Sequence, residues 1–243
     1  MRIQICGHRG FFEKYPQNTL PSFEAAIRLG CDRIEYDLHY SADRKLVVCH
    51  NFQIDDTSNG KGLIAEKTLE ELRSYDFGSW KDTAFAGTRI PLFEEVLDLA
   101  TKLNPNLFHL IELKLDSLEC GEEVIAILRR RNMVGHFTLV SFHLEMLREL
   151  KRRHPDICIH GNPTAPLTID PLYFRAFDSV GLHLSLLTPE VVKQFHHLGV
   201  WVDAWTVNDL ETFSRVEGYG VDSVTSNNPE ILIDYQRRRA GLA

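Results

Sequence analysis

The fold is decided by the N-terminal residues 2–51, which read RIQICGHRGFFEKYPQNTLPSFEAAIRLGCDRIEYDLHYSADRKLVVCHN. The stretch opens with a short, mostly apolar run at Arg2–Gly7, which is typical of a strand covered on both faces. An amphipathic helix is predicted over Leu20–Leu29, and Gly30 follows it in the position that ends many helices. A second strand is predicted over Arg33–Leu38. The order strand, helix, strand indicates a β-α-β unit with parallel strands.

The same alternation continues to the end of the chain. Further strands are predicted at Leu46–Cys49, Leu107–Leu113, Phe137–Ser141, Ile157–Gly161, Ser179–Leu182, Val200–Trp205 and Ser223–Thr225. Further helices are predicted at Phe93–Lys102, Glu122–Arg131, Glu145–Arg153, Pro189–His197 and Leu210–Tyr219. A parallel sheet of this size either stays open as a doubly wound fold or closes as a barrel. The number of strands favours an α/β fold closed as a (β/α)8 barrel, and no glycine-rich dinucleotide fingerprint follows the first strand.

One segment interrupts the alternation. Residues 51–89 place Gly and polar residues around a single short helical pattern at Leu69–Ser74, and they are longer than a usual barrel loop. We therefore expect a small inserted subdomain after strand three, beside the site. Residues 1–243 are otherwise predicted to form a single barrel domain, with a solvated helix end after Ile233.

Charge and composition narrow the class of protein. The net charge of −7 argues against nucleic acid or an anionic membrane as partner, because both need a cationic face. The five cysteines are dispersed, which is typical of reduced thiols and not of a disulfide framework. Neither a cleavable leader nor an apolar run long enough for a membrane span is found in the sequence. These features predict a cytoplasmic protein without membrane insertion.

Acidic residues collect near the predicted strand ends. Glu35 and Asp37 are two positions apart on one strand, so both side chains would face the barrel axis. Glu112 is expected to join them from another strand. Three carboxylates without cysteine ligands suit a hard divalent cation, either Mg²⁺ or Ca²⁺. Lys114 shares the face of Glu112 and could bind a phosphate oxygen, as could the guanidinium of Arg9.

Two histidines follow predicted strands, His8 after the first and His50 after the third. Groups beyond the carboxyl ends of barrel strands converge on one opening. Two imidazoles beside a metal and two cations suit a phosphodiester cleavage, in which one accepts a proton and the other protonates the leaving oxygen. The sequence therefore indicates acid–base chemistry on a phosphodiester.

In the order of its motifs, the chain closely resembles the glycerophosphodiester phosphodiesterase family. That family's pattern of HRG, P-E-N-T, a helix ending in glycine, E-x-D and V-x-H-D is matched by GHRG at 7–10 and by residues 16–51. Later landmarks are matched in the same order by ELK at 112–114, SFH at 141–143, AWTVN at 204–208 and GVDSVTSNNPE at 220–230. TSNGKGLIAEKTLEEL at 57–72 resembles the family's segment after H-D.

This resemblance implies a TIM barrel with a small inserted subdomain and hydrolysis of glycerophosphodiesters to an alcohol and glycerol 3-phosphate. Carried over position by position, it implies catalysis by His8 and His50, metal binding by Glu35, Asp37 and Glu112, phosphate contacts by Arg9 and Lys114, and a pocket wall at Trp205. The expected partner is a small-molecule glycerophosphodiester, and the expected cofactor is a divalent metal ion.

Two positions depart from the family pattern. Gln17 stands where the family usually has Glu, and Asn51 stands where it usually has Asp. Both changes remove a negative charge near the expected metal and histidines. An amide can still coordinate a metal through its oxygen, or hold an imidazole by a hydrogen bond, so we expect a retained but less acidic site.

Two other functions stay open at this point. A related barrel phospholipase of the phospholipase D-toxin or lysophospholipase D type would use the same histidines on a lipid, and would need an apolar rim or a secretion signal. A catalytically weakened barrel would bind a phosphoester without cleaving it, as Gln17 and Asn51 suggest. The sequence leaves the attacking group open between water and the substrate's own glycerol hydroxyl.

Overall fold

A computed structural model describes residues 2–164 and 171–241, and a closed parallel barrel forms its centre. The strands in these residues are β1 (Gln4–Gly7), β2 (Arg33–Tyr40), β3 (Leu46–Val48), β4 (Phe108–Leu113), β5 (Phe137–Ser141), β6 (Cys158–Gly161), β7 (Ser179–His183), β8 (Trp201–Trp205) and β9 (Ser223–Ser226). All except β3 pair in parallel, in the ring order β1-β2-β4-β5-β6-β7-β8-β9, and β9 returns to β1. The predicted (β/α)8 barrel is confirmed.

The helices in the described residues are α1 (Leu20–Leu29), α2 (Leu69–Arg73), α3 (Phe93–Leu103), α4 (Leu118–Arg130), α5 (Leu144–Arg153), α6 (Pro189–His197), α7 (Leu210–Tyr219) and α8 (Pro229–Arg239). Short 3₁₀ turns lie at Ile64–Glu66, Thr83–Phe85 and Tyr173–Ala176. Apart from α2, each helix buries its apolar face against the barrel, and all of these except α3, which follows the segment containing α2, come after a strand. Over residues 2–164 and 171–241, none of them has the length and apolar character needed to cross a membrane.

Two helix starts differ from the sequence prediction by more than one residue. Helix α4 begins at Leu118 and not at Glu122, because Ser117 Oγ accepts a hydrogen bond from the Cys120 amide and caps an earlier start. Helix α8 begins at Pro229, well before the predicted helix end, and buries Leu232. Hydrophobic periodicity is weak at the start of both helices. A side-chain cap fixes the start of α4, and burial fixes the start of α8.

Strand β3 runs antiparallel to β2, which corrects the prediction that His50 follows the end of a barrel strand. β2 pairs with β4 only as far as Leu38 but continues to Tyr40. β3 folds back along this extension, and the Cys49 amide donates to the Asp37 carbonyl oxygen over 3.1 Å. His50 therefore lies at the opening because β3 runs back along the extension of β2 towards the barrel.

The segment after β3 has a small core of its own, which confirms the predicted inserted subdomain. The buried members of this core are Val47, Cys49, Ile54, Ile64, Leu72, Phe77 and Ile90. Two aromatic contacts join the segment to the connection between β1 and α1, with ring centroids 6.4 Å apart for Phe12 and Trp80 and 5.3 Å apart for Tyr15 and Phe85. The insertion therefore packs against the loop that carries Arg9.

Replacement of Gly10 by alanine is expected to destabilise the protein. Gly10 has φ +86°, and a Cβ there would lie 2.4 Å from Ser22 Oγ and 2.6 Å from the Ser22 carbonyl carbon. Left-handed backbone costs about 1–2 kcal/mol for other residues, and overpacking adds about 1–3 kcal/mol. Urea unfolding should show a loss of about 2–5 kcal/mol from these two effects.

Gly87 is the matched control for this substitution. Its φ is +80°, but no atom lies within 4 Å of a Cβ built there. Gly87→Ala should therefore cost only the backbone part, about 1–2 kcal/mol. Equal losses in the two variants would show that the close approach to Ser22 has no energetic effect.

Candidate active site

One cleft at the carboxyl ends of the barrel strands gathers most of the predicted site residues. Its volume is about 260 Å³. The lining residues include His8, Arg9, Glu35, His50, Leu110, Glu112, Val140, Phe142, His160, Asn162, Asp203, Trp205, Thr206 and Thr225. Asp37 and Lys114 do not line the cleft but lie at its edge. Asp37 contacts Arg9, and Lys114 contacts Glu112. The predicted residues are therefore neighbours in space.

Three buried carboxylates lie side by side. Glu35 and Asp37 project from alternate positions of β2, and Asp37 is directly opposite Glu112 in the pairing of β2 with β4. One oxygen from each of the three carboxylates lies within 4.8 Å of the others. All three residues are buried. The spacing suits a single hard cation, which prefers carboxylate oxygens.

The protonation of these carboxylates shows how crowded the negative charge is. Burial raises the pKa of Glu112 to about 7, and the neighbouring Asp37 adds to this shift. Burial, with Asp37 and Glu112, also raises the pKa of Glu35 well above its ordinary value. Burial opposes charge on Asp37 too, but Lys114 and Arg9 outweigh it and lower the pKa of that carboxyl. A divalent cation would relieve this repulsion, so the donor set fits one.

Lys114 and Arg9 both lie against the carboxylates. Lys114 Nζ is 2.7 Å from Glu112 Oε1 and 3.4 Å from Asp37 Oδ1. The Arg9 amide donates to Glu35 Oε2 over 2.9 Å, and Arg9 Nε lies 3.8 Å from Asp37 Oδ2. Arg9 Nε is buried and donates no hydrogen bond within the described residues. Both cations can therefore meet an anion at the edge of the acidic cluster.

Gln17, one of the two departures from the family pattern, contacts a cation and none of the three carboxylates. Arg9 Nη1 donates to Gln17 Oε1 over 2.5 Å. The amide oxygen therefore holds the guanidinium in place as a neutral acceptor. Asn18, next to it in sequence, donates from Nδ2 to Asp37 Oδ2 over 2.7 Å.

His8 is held between an asparagine and the acidic cluster. Its Nδ1 lies 2.5 Å from Asn227 Oδ1, and its Nε2 lies 3.9 Å from Glu35 Oε2. The backbone N–H of Asn227 in turn donates to Asn208 Oδ1 over 2.8 Å. Burial lowers the pKa of His8 to about 3, and the Arg9 charge adds to this. The ring is therefore neutral, and an amide oxygen can only accept, which places its proton on Nδ1.

His50 has the same type of partner. Its Nδ1 lies 2.7 Å from Asn51 Oδ1. Burial lowers the pKa of His50, although Asp37 opposes the shift. His39 Nε2 lies 3.3 Å from the His50 carbonyl oxygen and supports the chain at this point. Both histidines therefore bind an asparagine through Nδ1, and neither uses Nε2 in a hydrogen bond within the described residues.

Trp205 lines the side of the cleft opposite the carboxylates, as a pocket wall requires. Its ring packs edge-on against Phe142, with centroids 6.1 Å apart, and against His183 at 5.1 Å. In the ring of strands, β8 is three positions away from β2. The cleft thus has the cluster of Glu35, Asp37 and Glu112 on one side and an aromatic wall on the other.

The sequence did not single out Asn18, Asn227 or Phe142 as site residues. Each was inside a quoted motif: Asn18 in PQNT, Phe142 in SFH and Asn227 in GVDSVTSNNPE. Periodicity could not identify them, because their roles come from contacts with distant residues. Position directly after a barrel strand was the available signal for Phe142 and Asn227.

Fold and site together define a class of protein: a (β/α)8-barrel enzyme with a small acidic cleft flanked by two histidines. The model of the glycerophosphoryl diester phosphodiesterase family matches residues 8–231. The chain belongs to this family.

Individual relatives extend over the full barrel. The chain is 31% identical over 247 residues to a glycerophosphodiester phosphodiesterase of Caldanaerobacter subterraneus, with 98% of this chain and 99% of that one covered. A solved phosphodiesterase of Oleispira antarctica, in complex with the product sn-glycerol 3-phosphate, superposes with a TM-score of 0.85 at 26% identity, over 93% and 94% of the two chains. A solved glycerophosphodiester phosphodiesterase of Parabacteroides distasonis gives 0.83 at 27% identity, over 98% of each chain.

Proposed function

We propose that this enzyme hydrolyses glycerophosphodiesters to an alcohol and glycerol 3-phosphate, with a divalent metal ion and acid–base catalysis by His8 and His50. The observation that carries the proposal is the meeting of two imidazoles and a cluster of three buried carboxylates at one cleft and its edge. The names of the family and of the relatives support the substrate class, as does the product bound to the Oleispira antarctica structure.

Glu35, Asp37 and Glu112 would hold the metal ion, which when bound polarises a phosphoryl oxygen and offsets charge in the transition state. Mg²⁺ and Ca²⁺ both suit an all-oxygen donor set. Arg9 and Lys114 orient the phosphate by charge-assisted hydrogen bonds from the edge of this cluster. The same cations lower the pKa of Asp37 and so keep at least one carboxylate ionised.

The two histidines divide the proton transfers. One Nε2 accepts the proton of the attacking oxygen. The other ring acts as the imidazolium, whose second proton on Nε2 is favoured by the negative charge of the bound phosphodiester, and it donates that proton to the leaving alkoxide. Because each Nδ1 is bound to an asparagine oxygen, each ring is fixed with Nε2 as its reactive atom. Water and the substrate's glycerol hydroxyl are both compatible attacking groups, and the products distinguish them, since the hydroxyl gives a cyclic phosphate first.

The size of the cleft favours a small substrate over a lipid. Its volume of about 260 Å³ is below the range of roughly 300–1,000 Å³ that holds drug-sized ligands. A glycerol phosphate with a small head group fits this space, whereas an acyl chain would lie outside it. This favours deacylated phospholipids such as glycerophosphocholine over the lysophospholipase D alternative.

Both departures from the family pattern also keep their polar contacts. Gln17 accepts from Arg9, and Asn51 binds His50. This supports an active hydrolase over a barrel that only binds phosphoesters. The deciding experiment is product analysis with a panel of glycerophosphodiesters and divalent ions, with chelator as control. Binding by calorimetry without product at any ion would refute hydrolysis.

Glycerophosphocholine is expected to have a kcat/KM at least about tenfold above that of monomeric lysophosphatidylcholine, since the acyl chain gains no enclosed surface in the cleft. Both substrates release choline, so one coupled assay measures them. Glycerol 4-nitrophenyl phosphate, which has the glycerol but no acyl chain, serves as a control for intact chemistry. A preference for lysophosphatidylcholine would favour the phospholipase D-type function.

A further inference from the structure

Asn51 and Asp56 form a hydrogen-bonded chain behind His50. His50 Nδ1 lies 2.7 Å from Asn51 Oδ1, and Asn51 Nδ2 donates to Asp56 Oδ2 over 2.9 Å. Asp56 is exposed, and within the described residues its side chain makes no other hydrogen bond or ion pair. The neighbouring Asp55 has a different partner, since its Oδ2 accepts from the Gly62 amide.

The chemistry of these groups fixes the direction of each hydrogen bond. An ionised carboxylate only accepts, so the NH2 group of Asn51 must face Asp56. The amide oxygen of Asn51 must then face His50. Because that oxygen also only accepts, the proton of the neutral imidazole must be on Nδ1. Asp56 thereby determines which nitrogen of His50 carries the proton, although the two residues do not touch.

We propose that Asp56 and Asn51 are positioning residues for His50. Asp56 orients the Asn51 side-chain amide so that its oxygen, and not its NH2 group, is directed to His50. The amide oxygen then holds His50 in the Nδ1–H form with Nε2 free. The inference rests on the catalytic role proposed for His50. It gives a reason why asparagine serves at position 51, where the family usually has aspartate. Either oxygen of a carboxylate can accept a hydrogen bond from His50, whereas an amide needs a second group to direct its oxygen, and not its NH2 group, to the imidazole.

A double-mutant cycle in kcat tests this dependence. Asp56→Ala should lower kcat for glycerophosphocholine about three- to tenfold with KM changed less than about twofold, because the freed amide can turn its NH2 towards His50. In the Asn51→Asp background the same Asp56→Ala change should cause no further loss of kcat, since both oxygens of the new carboxylate can accept a hydrogen bond from His50. It should even recover activity there, as it removes a like-charged neighbour. Equal losses in both backgrounds would overturn the proposal.

Long-range ¹H–¹⁵N NMR spectra of the metal-loaded protein report the tautomer directly, with His50 signals assigned by their absence in His50→Ala. The wild type should show the Nδ1–H form, Asp56→Ala a mixture, and the Asn51→Asp/Asp56→Ala double variant the Nδ1–H form again. Asp55→Ala, the matched control for a loosened loop, should keep the wild-type tautomer. An Nε2–H form in the wild type, or no change in Asp56→Ala, would refute the inference.

The two hypotheses fail in different ways. The spectra need no turnover, so a wild-type protein that cleaves no glycerophosphodiester would refute the proposed function and still test the tautomer. An active wild type with an unchanged tautomer in Asp56→Ala would refute only the role of Asp56.

Discussion

His8→Ala and His50→Ala are each expected to lower kcat for glycerophosphocholine by at least about a hundredfold. General acid–base catalysis contributes typically about 10²–10⁴-fold per group, and in the proposed mechanism each ring reacts through Nε2 because its Nδ1 is bound to an asparagine. The losses should not add in the double variant, because the two histidines serve one reaction. Steady-state rates with product quantification measure all three variants.

The leaving group separates the two roles. A glycerol 4-nitrophenyl phosphate releases an alcohol that needs no protonation, so the variant lacking the general acid should recover most of its rate on this substrate. The variant lacking the general base should stay slow on both substrates. His197→Ala is the matched control, because that exposed histidine on α6 binds only the Lys193 carbonyl oxygen among the described residues. Near-normal rates in both site variants would refute the acid–base assignment.

Removal of the divalent ion is expected to have an effect of similar size. Chelator should reduce kcat/KM by at least about a hundredfold, since a metal contributes several kcal/mol to stabilisation of the transition state and each 1.4 kcal/mol is a factor of about ten. Mg²⁺ or Ca²⁺ should restore activity. Asp37→Asn should abolish this response, because Asp37 is directly opposite Glu112 and is the carboxylate of the three whose pKa is lowered, so the substitution removes the ligand that is most readily ionised.

Metal binding can be followed without turnover. The ion should raise the melting temperature of the wild type, because a ligand that binds only the folded state stabilises it, and it should not do so in Asp37→Asn. Glu112→Gln should bind the ion more weakly. Without metal, however, this variant should be at least as stable as the wild type near pH 8, since it removes a buried charge whose pKa is raised to about 7.

The sign of the pH effect follows from the direction of the shift. The pKa of Glu112 is raised from 4.5 to about 7 in the folded protein, so its contribution to stability is fully present below about pH 4.5, is lost as the pH rises to about 7, and does not change above that. Urea unfolding of the metal-free proteins should therefore show Glu112→Gln gaining stability relative to the wild type as the pH rises from about 5 to about 7, with no further gain up to about pH 8. The lowered pKa values of the buried His8, His39, His109 and His160 have the opposite effect on stability, but both proteins share them and they cancel in this difference. Full activity in chelator, with no thermal shift on adding metal, would refute the metal site.

Much of the architecture was determined by the sequence alone. Alternating strand and helix patterns predicted the barrel, because both periodicities are local properties of the chain. The two-residue spacing of Glu35 and Asp37 placed them on one face of β2 for the same reason. The long polar segment after β3 predicted the insertion, whose separate core is observed.

Contacts between distant residues were decided only by the tertiary structure. His8 meets Asn227, 219 positions away, because β9 returns to β1 when the barrel closes. Strand β3 runs antiparallel and brings His50 down to the cleft, which a pattern of three apolar residues does not reveal. Local sequence sets what each element is and which face it buries. Closure of the ring sets which elements become neighbours, and with them the partners that fix the charge and the tautomer of each site residue.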